Sequence, residues 1–196
     1  MRLRRVTPPA RAWLGLSAGL AVAALAGYGL PSGALAWRAD APWSVWRWFT
    51  AVAVHWTALH LGANLAGLAL LAWLGASARL PSGAAWAWCA AWPLTQAPLM
   101  LVGELRAYGG LSGVLHAGAV IAATYMLCRS RGAPRCIGLG VLAGVALKLW
   151  LEAPWQVPLQ ADAAWGFPVA VIAHATGALT GLACAVIALG VNRGSA

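Results

Sequence analysis

The chain of 196 residues carries 62% hydrophobic side chains and only 9% charged ones, where a soluble domain has about a quarter charged residues. A water-soluble fold this small cannot bury that much apolar surface, and disorder is excluded by the same composition. Mean hydropathy of +0.75 predicts a body solvated by lipid, with room for roughly six helices of about 20 residues each and none for a separate soluble domain. The formal charge of +9 reads as a topology signal rather than as a nucleic-acid footprint. Arg2, Arg4, Arg5, Arg11, Arg79, Arg129, Arg131, Arg135 and Arg193 fall at the two ends and in alternate gaps between apolar runs, and cytoplasmic loops are enriched in Lys and Arg. Both termini are therefore expected in the cytoplasm. The opposite face, with Arg38, Arg47, Arg106, Asp40, Glu104 and Asp162, is close to neutral.

In chain order, a basic segment at 1–11 precedes a first span over 12–30, broken by Pro31-Ser32-Gly33. Ala34-Leu35-Ala36 after it imitates a signal-peptide cleavage site, but the apolar run is longer than a signal core and is read as a retained span. An outer segment at 31–56 is rich in Trp (Trp37, Trp43, Trp46, Trp48), as expected where indoles settle at the membrane interface. Further spans are expected over 57–76; over 84–102, kinked by Pro93 and Pro98; over 109–127, opening at Gly109-Gly110; over 136–151; and over 168–191, with Pro168 in its first turn. The whole is one all-α, six-span domain over 12–192 with a short tail at 193–196. Cys89, Cys128, Cys136 and Cys184 show no CxxC pair and are read as small apolar packing residues.

The second, fourth and sixth spans all enter from the outer face, and they carry the polar residues that hydrocarbon should exclude. These are His60 and Asn64, Ser112 and His116, and His174. All lie within roughly 5–12 Å of the helix entrance at 1.5 Å per residue, so ionisable groups from three helices converge on one layer. Ser112 sits in Gly110-Leu111-Ser112-Gly113 at a helix start. A serine needs a positioned base to become a nucleophile, and His174 can supply it. His174, Gly177 and Gly181 form a stripe that lets the sixth span lie close against the fourth. His60 and Asn64, four apart, stand on one helix face and can both aim N–H donors at an oxyanion, joined by backbone N–H groups around Ser112. With only Asp40, Glu104, Glu152 and Asp162 as acids, and Glu152 one turn beyond Lys148 as its ion-pair partner, no carboxylate is expected to orient the histidine. The machinery is thus expected to be a Ser-His dyad. His116 is expected to pack beside His174 and hold its ring.

These residues resemble the rhomboid family of intramembrane serine proteases. Trp46-Arg47-Trp48-Phe49-Thr50 followed by His55, His60 and Asn64 is similar to the family's first outer loop and second span. Gly110-Leu111-Ser112-Gly113 resembles its nucleophile motif, and Ala173-His174 with Gly177 and Gly181 its sixth-span motif. The resemblance covers roughly residues 43–185. It implies Ser112 as nucleophile, His174 as general base and His60 and Asn64 as oxyanion donors. It also implies supporting roles for Gly110, Gly113 and His116, and for Trp46, Arg47 and His55 in and beneath the outer loop. Many family members carry an aromatic residue, often Tyr, where this chain has His116. The compact body, His116 and the Lys148–Glu152 pair resemble the rhombosortase branch, whose partners carry C-terminal GlyGly-CTERM tails of a glycine pair, an apolar span and basic residues. The resemblance implies a multi-pass protein of a bacterial inner membrane. It would act on single-span membrane proteins near the outer face, within the lipid bilayer, with no cofactor, no metal and no nucleic acid. Two other readings compete with it: a rhomboid-like protein that binds membrane clients without cutting them, and a membrane protein in which His55, His60, His116 and His174 ligate haem or a transition metal.

Overall fold

A computed structural model describes residues 10–161 and 163–194. Arg2, Arg4, Arg5, Asp162 and the last two residues of the tail lie outside them. The chain is mostly helical. A first helix α1 (Arg11–Gly27) leads through a short α2 (Ser32–Leu35), strand β1 (Trp37–Arg38), α3 (Trp46–Thr50) and a 3₁₀ turn at Ala51–Ala53 to α4 (Ala58–Ser77). Then come α5 (Ser82–Gln96) with a 3₁₀ extension at Ala97–Leu101, strand β2 (Ala107–Tyr108), α6 (Ser112–Arg129), α7 (Ala133–Glu152) and α8 (Ile172–Gly194). Among the described residues, three helices are long and apolar enough to cross a membrane, Ala58–Ser77, Ala133–Glu152 and Ile172–Val191, and Arg11–Gly27 is a shorter apolar helix. Large apolar side chains such as Leu70, Trp73, Leu147, Trp150, Leu179 and Ile187 stand exposed on the outside of the bundle, as suits a body solvated by lipid.

The bundle is organised around α6, which touches α4, α5, α7 and α8, while α1 packs on α4 and α5. Buried indoles tie the helices together, because a Trp N–H taken out of water needs an acceptor. Trp13 of α1 donates to the carbonyl of Leu71 on α4 at 2.8 Å, and Trp88 of α5 to that of Val114 on α6 at 2.8 Å. The two rings meet with centroids 4.4 Å apart. The α5–α8 seam is threaded by hydroxyls, with Thr176 donating to the Thr95 carbonyl at 2.9 Å and Thr95 and Thr180 bonded at 3.2 Å. On α8, Gly177 and Gly181 are required by close approach. A Cβ at Gly177 would lie 2.0 Å from the carbonyl oxygen of Gly113, and one at Gly181 2.6 Å from that of Ala117.

Several expectations are corrected. Helix α6 starts at Ser112 rather than at Gly109, because Gly110 adopts φ +121° and its N–H bonds to the Ala51 carbonyl at 2.8 Å, holding the chain in a turn. Helix α8 starts at Ile172, so Pro168 is not in its first turn. Residues ahead of it fold into a small hairpin in which Gln160 and Val169 exchange backbone hydrogen bonds of 2.9 and 2.8 Å. The third span is α-helical through Pro93 and turns 3₁₀ at Ala97–Leu101. Trp43 and Trp46 are exposed, as expected, but Trp37 of β1 is fully buried in a cluster with Leu99, Leu105, Tyr108 and Ala173. Cys184 packs inside and Cys89 partly so, whereas Cys128 and Cys136 are exposed.

Because the α6–α8 contact leaves no space for a methyl group, Gly177→Ala is expected to cost about 1–3 kcal/mol of unfolding free energy. Gly140→Ala on α7, where nothing lies within 4 Å, is expected to be neutral or stabilising by up to about 1 kcal/mol. Thermal unfolding of the two variants in detergent checks the contrast.

Candidate active site

The N-terminal ends of α4, α6 and α8 and the C-terminal end of α7 adjoin at one end of the bundle. They surround a cavity of about 280 Å³ lined by His60, Asn64, Ser112, His116, Lys148, Glu152 and His174, with Trp165, Phe167 and Val169 of the α7–α8 linker over it. The polar residues singled out from three helices thus meet in one place. Ser112 is the first residue of α6, where the chain leaves the Gly110 turn. The orphan N–H groups of that first helical turn are there to receive negative charge. His174, two residues into α8 and buried, places Nε2 3.1 Å from Ser112 Oγ.

The other ring nitrogen is the principal correction to the sequence reading. His174 Nδ1 lies 2.9 Å from Glu152 Oε2, so a carboxylate does orient the histidine. The Lys148–Glu152 pair is present as expected, through the other carboxylate oxygen, but one carboxylate has two oxygens and serves both partners. A carboxylate accepts, so Nδ1 carries the proton and the neutral ring offers Nε2 to the serine hydroxyl. Glu152 is the last residue of α7, and the linker between it and Ile172 brings the end of α7 to the level at which α8 begins.

His116 lies one turn beyond Ser112, its Nδ1 donating to the Ser112 carbonyl at 2.7 Å and its ring stacked on His174 with centroids 4.3 Å apart and planes 16° apart. The ring pair lies face to face, as expected for a residue that packs against the histidine. His60 and Asn64 both reach the cavity, and Asn64 uses one amide hydrogen on the His60 carbonyl at 3.0 Å, leaving the second. The His60 ring fits against the Gly110 turn so closely that a Cβ there would lie 2.7 Å from its Nε2. Its Nδ1 is buried without a hydrogen-bond partner among the described residues.

A shell of aromatic rings encloses His60. Phe167 lies 4.8 Å away by ring centroids, Trp56 is parallel to it at 5.9 Å, and His55 packs behind at 4.8 Å. Burial lowers the affinity of the His55 imidazole for a proton and so favours its neutral form. Tyr108, in β2, is buried beside the turn, its hydroxyl 3.4 Å from the Gly110 carbonyl, and burial pushes it up to about 12. Farther out, Arg47 Nη1 donates to the Ala36 carbonyl at 3.1 Å while its guanidinium lies over Trp46, and Thr50 donates to the Leu35 carbonyl at 2.7 Å. These bonds tie the end of α2 to α3. Gly113 is pinned between Ala173 and Thr95. Glu152, Lys148, Trp165, Phe167 and Tyr108 are the site residues that sequence reasoning did not assign. No group of three or more His, Cys, Asp or Glu side chains that could hold a metal ion occurs among the described residues.

No protein-family model matches this chain, and no curated protein matches it. The chemistry therefore rests on the geometry itself, a serine, an imidazole and a carboxylate in series beside a polar cavity. If Glu152 orients His174, Glu152→Gln leaves the cavity in place but removes the negative charge, and with Lys148 claiming the amide oxygen it turns an N–H toward His174 Nδ1, which selects the other tautomer. The rate at which Ser112 reacts with a fluorophosphonate is then expected to fall by about 10²–10⁴, measured by gel-based labelling.

Proposed function

We propose that this chain is an intramembrane serine endopeptidase of the rhomboid type, most similar to the rhombosortase branch. The observation that carries the reading is the 3.1 Å approach of His174 Nε2 to Ser112 Oγ at the edge of a polar cavity in an otherwise apolar bundle. In this reading α1, α4, α5, α6, α7 and α8 cross a bacterial inner membrane with both termini in the cytoplasm, and the cavity opens toward the outer face.

The reaction follows from the positions of the groups. Ser112 Oγ attacks the scissile carbonyl of a membrane-anchored protein as His174 Nε2 takes the hydroxyl proton. Glu152 stabilises the resulting imidazolium through Nδ1 and keeps the ring oriented, so the expected dyad is better described as a Ser-His-Glu series. The oxyanion is received by His60, the free amide hydrogen of Asn64 and the first-turn N–H groups of α6. His174 then returns the proton to the leaving amine, and water hydrolyses the acyl-enzyme by the same base. The stacked His116 restricts the His174 ring to the plane in which it meets both Ser112 and Glu152. Substrates are single-span membrane proteins, with GlyGly-CTERM-type tails as the branch suggests.

Ser112→Ala and His174→Ala are each expected to abolish cleavage of a tail-bearing substrate reconstituted with the protein in liposomes. Wild type alone should be labelled by a fluorophosphonate or chloroisocoumarin probe. Equal labelling of wild type and Ser112→Ala would sink the proposal.

A further inference from the structure

Lys148 is the feature of the cavity that the proposed reaction does not use. It stands one turn before Glu152 on α7, and its ammonium bonds Glu152 Oε1 while Oε2 takes His174 Nδ1. The carboxylate is thus a bridge with a fixed cation at one end and the imidazole at the other. Among the described residues, the titratable and charged groups that face this bridge are His116 from α6, His174 from α8 and, across the cavity, His60 from α4. From the linker, Gln160 donates its side-chain amide to the Glu152 backbone carbonyl, which leaves the carboxylate to Lys148 and His174. Among the described residues lining the cavity, Lys148 is the one permanent cation. A carboxylate at the edge of hydrocarbon is costly when ionised and unpaired, and it sheds that cost by taking a proton.

Resting on the serine-nucleophile reading above, we propose that Lys148 is a positioning residue for the reaction. It holds Glu152 ionised and aimed at His174 Nδ1, and through Glu152 it sets the acid limit of Ser112 reactivity. A lysine that merely anchored the end of α7 would affect how much protein folds. A lysine that works through Glu152 also moves the pH at which His174 becomes available as a base. The direction is fixed by charge. Removing a cation from beside the Glu–His pair lets the pair keep its proton to higher pH, whereas removing the anion makes His174 release its proton at lower pH.

The test is the second-order rate of fluorophosphonate inactivation of the full-length protein in detergent, followed between about pH 5 and pH 9, where histidine bases titrate. Wild type, Lys148→Met, Lys148→Arg and Glu152→Gln are compared. Lys148→Met is expected to react at least about tenfold more slowly at neutral pH, the typical scale of a one-unit shift, with its acid limb displaced to higher pH. Lys148→Arg should restore the wild-type limb, and Glu152→Gln should displace the limb the opposite way. Lys148→Gln carries the same expectation as the methionine variant, so a folding failure of one leaves the comparison intact. A Lys148→Met or Lys148→Gln enzyme whose acid limb coincides with wild type, or lies below it, overturns the role of Lys148 while leaving the serine mechanism standing. Failure of wild type to label at Ser112 overturns both.

Discussion

The separation of a serine on one helix from a histidine on another is governed by how closely the two backbones can approach, and in this bundle two glycines of α8 govern it. At Gly177 and Gly181 the α8 backbone lies against the carbonyls of Gly113 and Ala117 with no space for a side chain. Small-residue contacts of this kind are how helices associate where lipid removes the hydrophobic drive. The contact begins one turn below His174 and one residue after Ser112, so the 3.1 Å approach of the two side chains is a consequence of the seam beneath them. Thr95, Thr176 and Thr180 extend the seam to α5, and Trp88 ties α5 back to α6. The proposed nucleophile and its proposed base are therefore carried by two closely packed helices.

The carboxylate is not. Helix α7 has Gly138 as its only buried residue and presents Ile137, Leu139, Leu147 and Trp150 outward, yet its last residue is Glu152. The charged pair on this helix has a physical logic. A lone carboxylate beside hydrocarbon would be expensive, and a lysine one turn earlier neutralises it locally while leaving its second oxygen for His174. Under the proposed mechanism, proton transfer to His174 then creates a positive charge directly against an anion already in place, with little rearrangement at the moment of reaction. The rings of Trp56, Trp165 and Phe167 pack around His60 on the other side of the cavity.

What could be read without coordinates followed from rarity. In a chain with so few polar residues, Ser112, His174, His60 and Asn64 announce themselves, and their position near helix entrances follows from counting residues. The contrast with Glu152 is instructive. Its i,i+4 partner Lys148 accounted for it fully at the level of one helix, and nothing along the chain indicates that its second oxygen faces another helix. Trp165 and Phe167 lie in a linker hairpin closed by the pairing of Gln160 with Val169, nine positions apart. The starts of α6 and α8 were misplaced for related reasons. The Gly110 turn is held by Ala51, and the run before Ile172 is drawn into the hairpin. Trp37, typical of an interfacial residue by type, is buried because β1 pairs with β2 above the helix ends.

Composition and residue order by themselves determined the helical class, an apolar exterior compatible with lipid and the level at which polar groups gather, because hydrocarbon penalises every unsatisfied polar atom and leaves few places for one. Residue order also determined that small residues would line one face of α8, since their spacing is local to that helix. Only the tertiary structure decided which side chains touch. Rotation of each helix about its axis and the docking of α7 against α6 are set by packing between elements distant in sequence. That packing turns an expected pair of residues into a series of Lys148, Glu152, His174 and Ser112, each within bonding distance of the next.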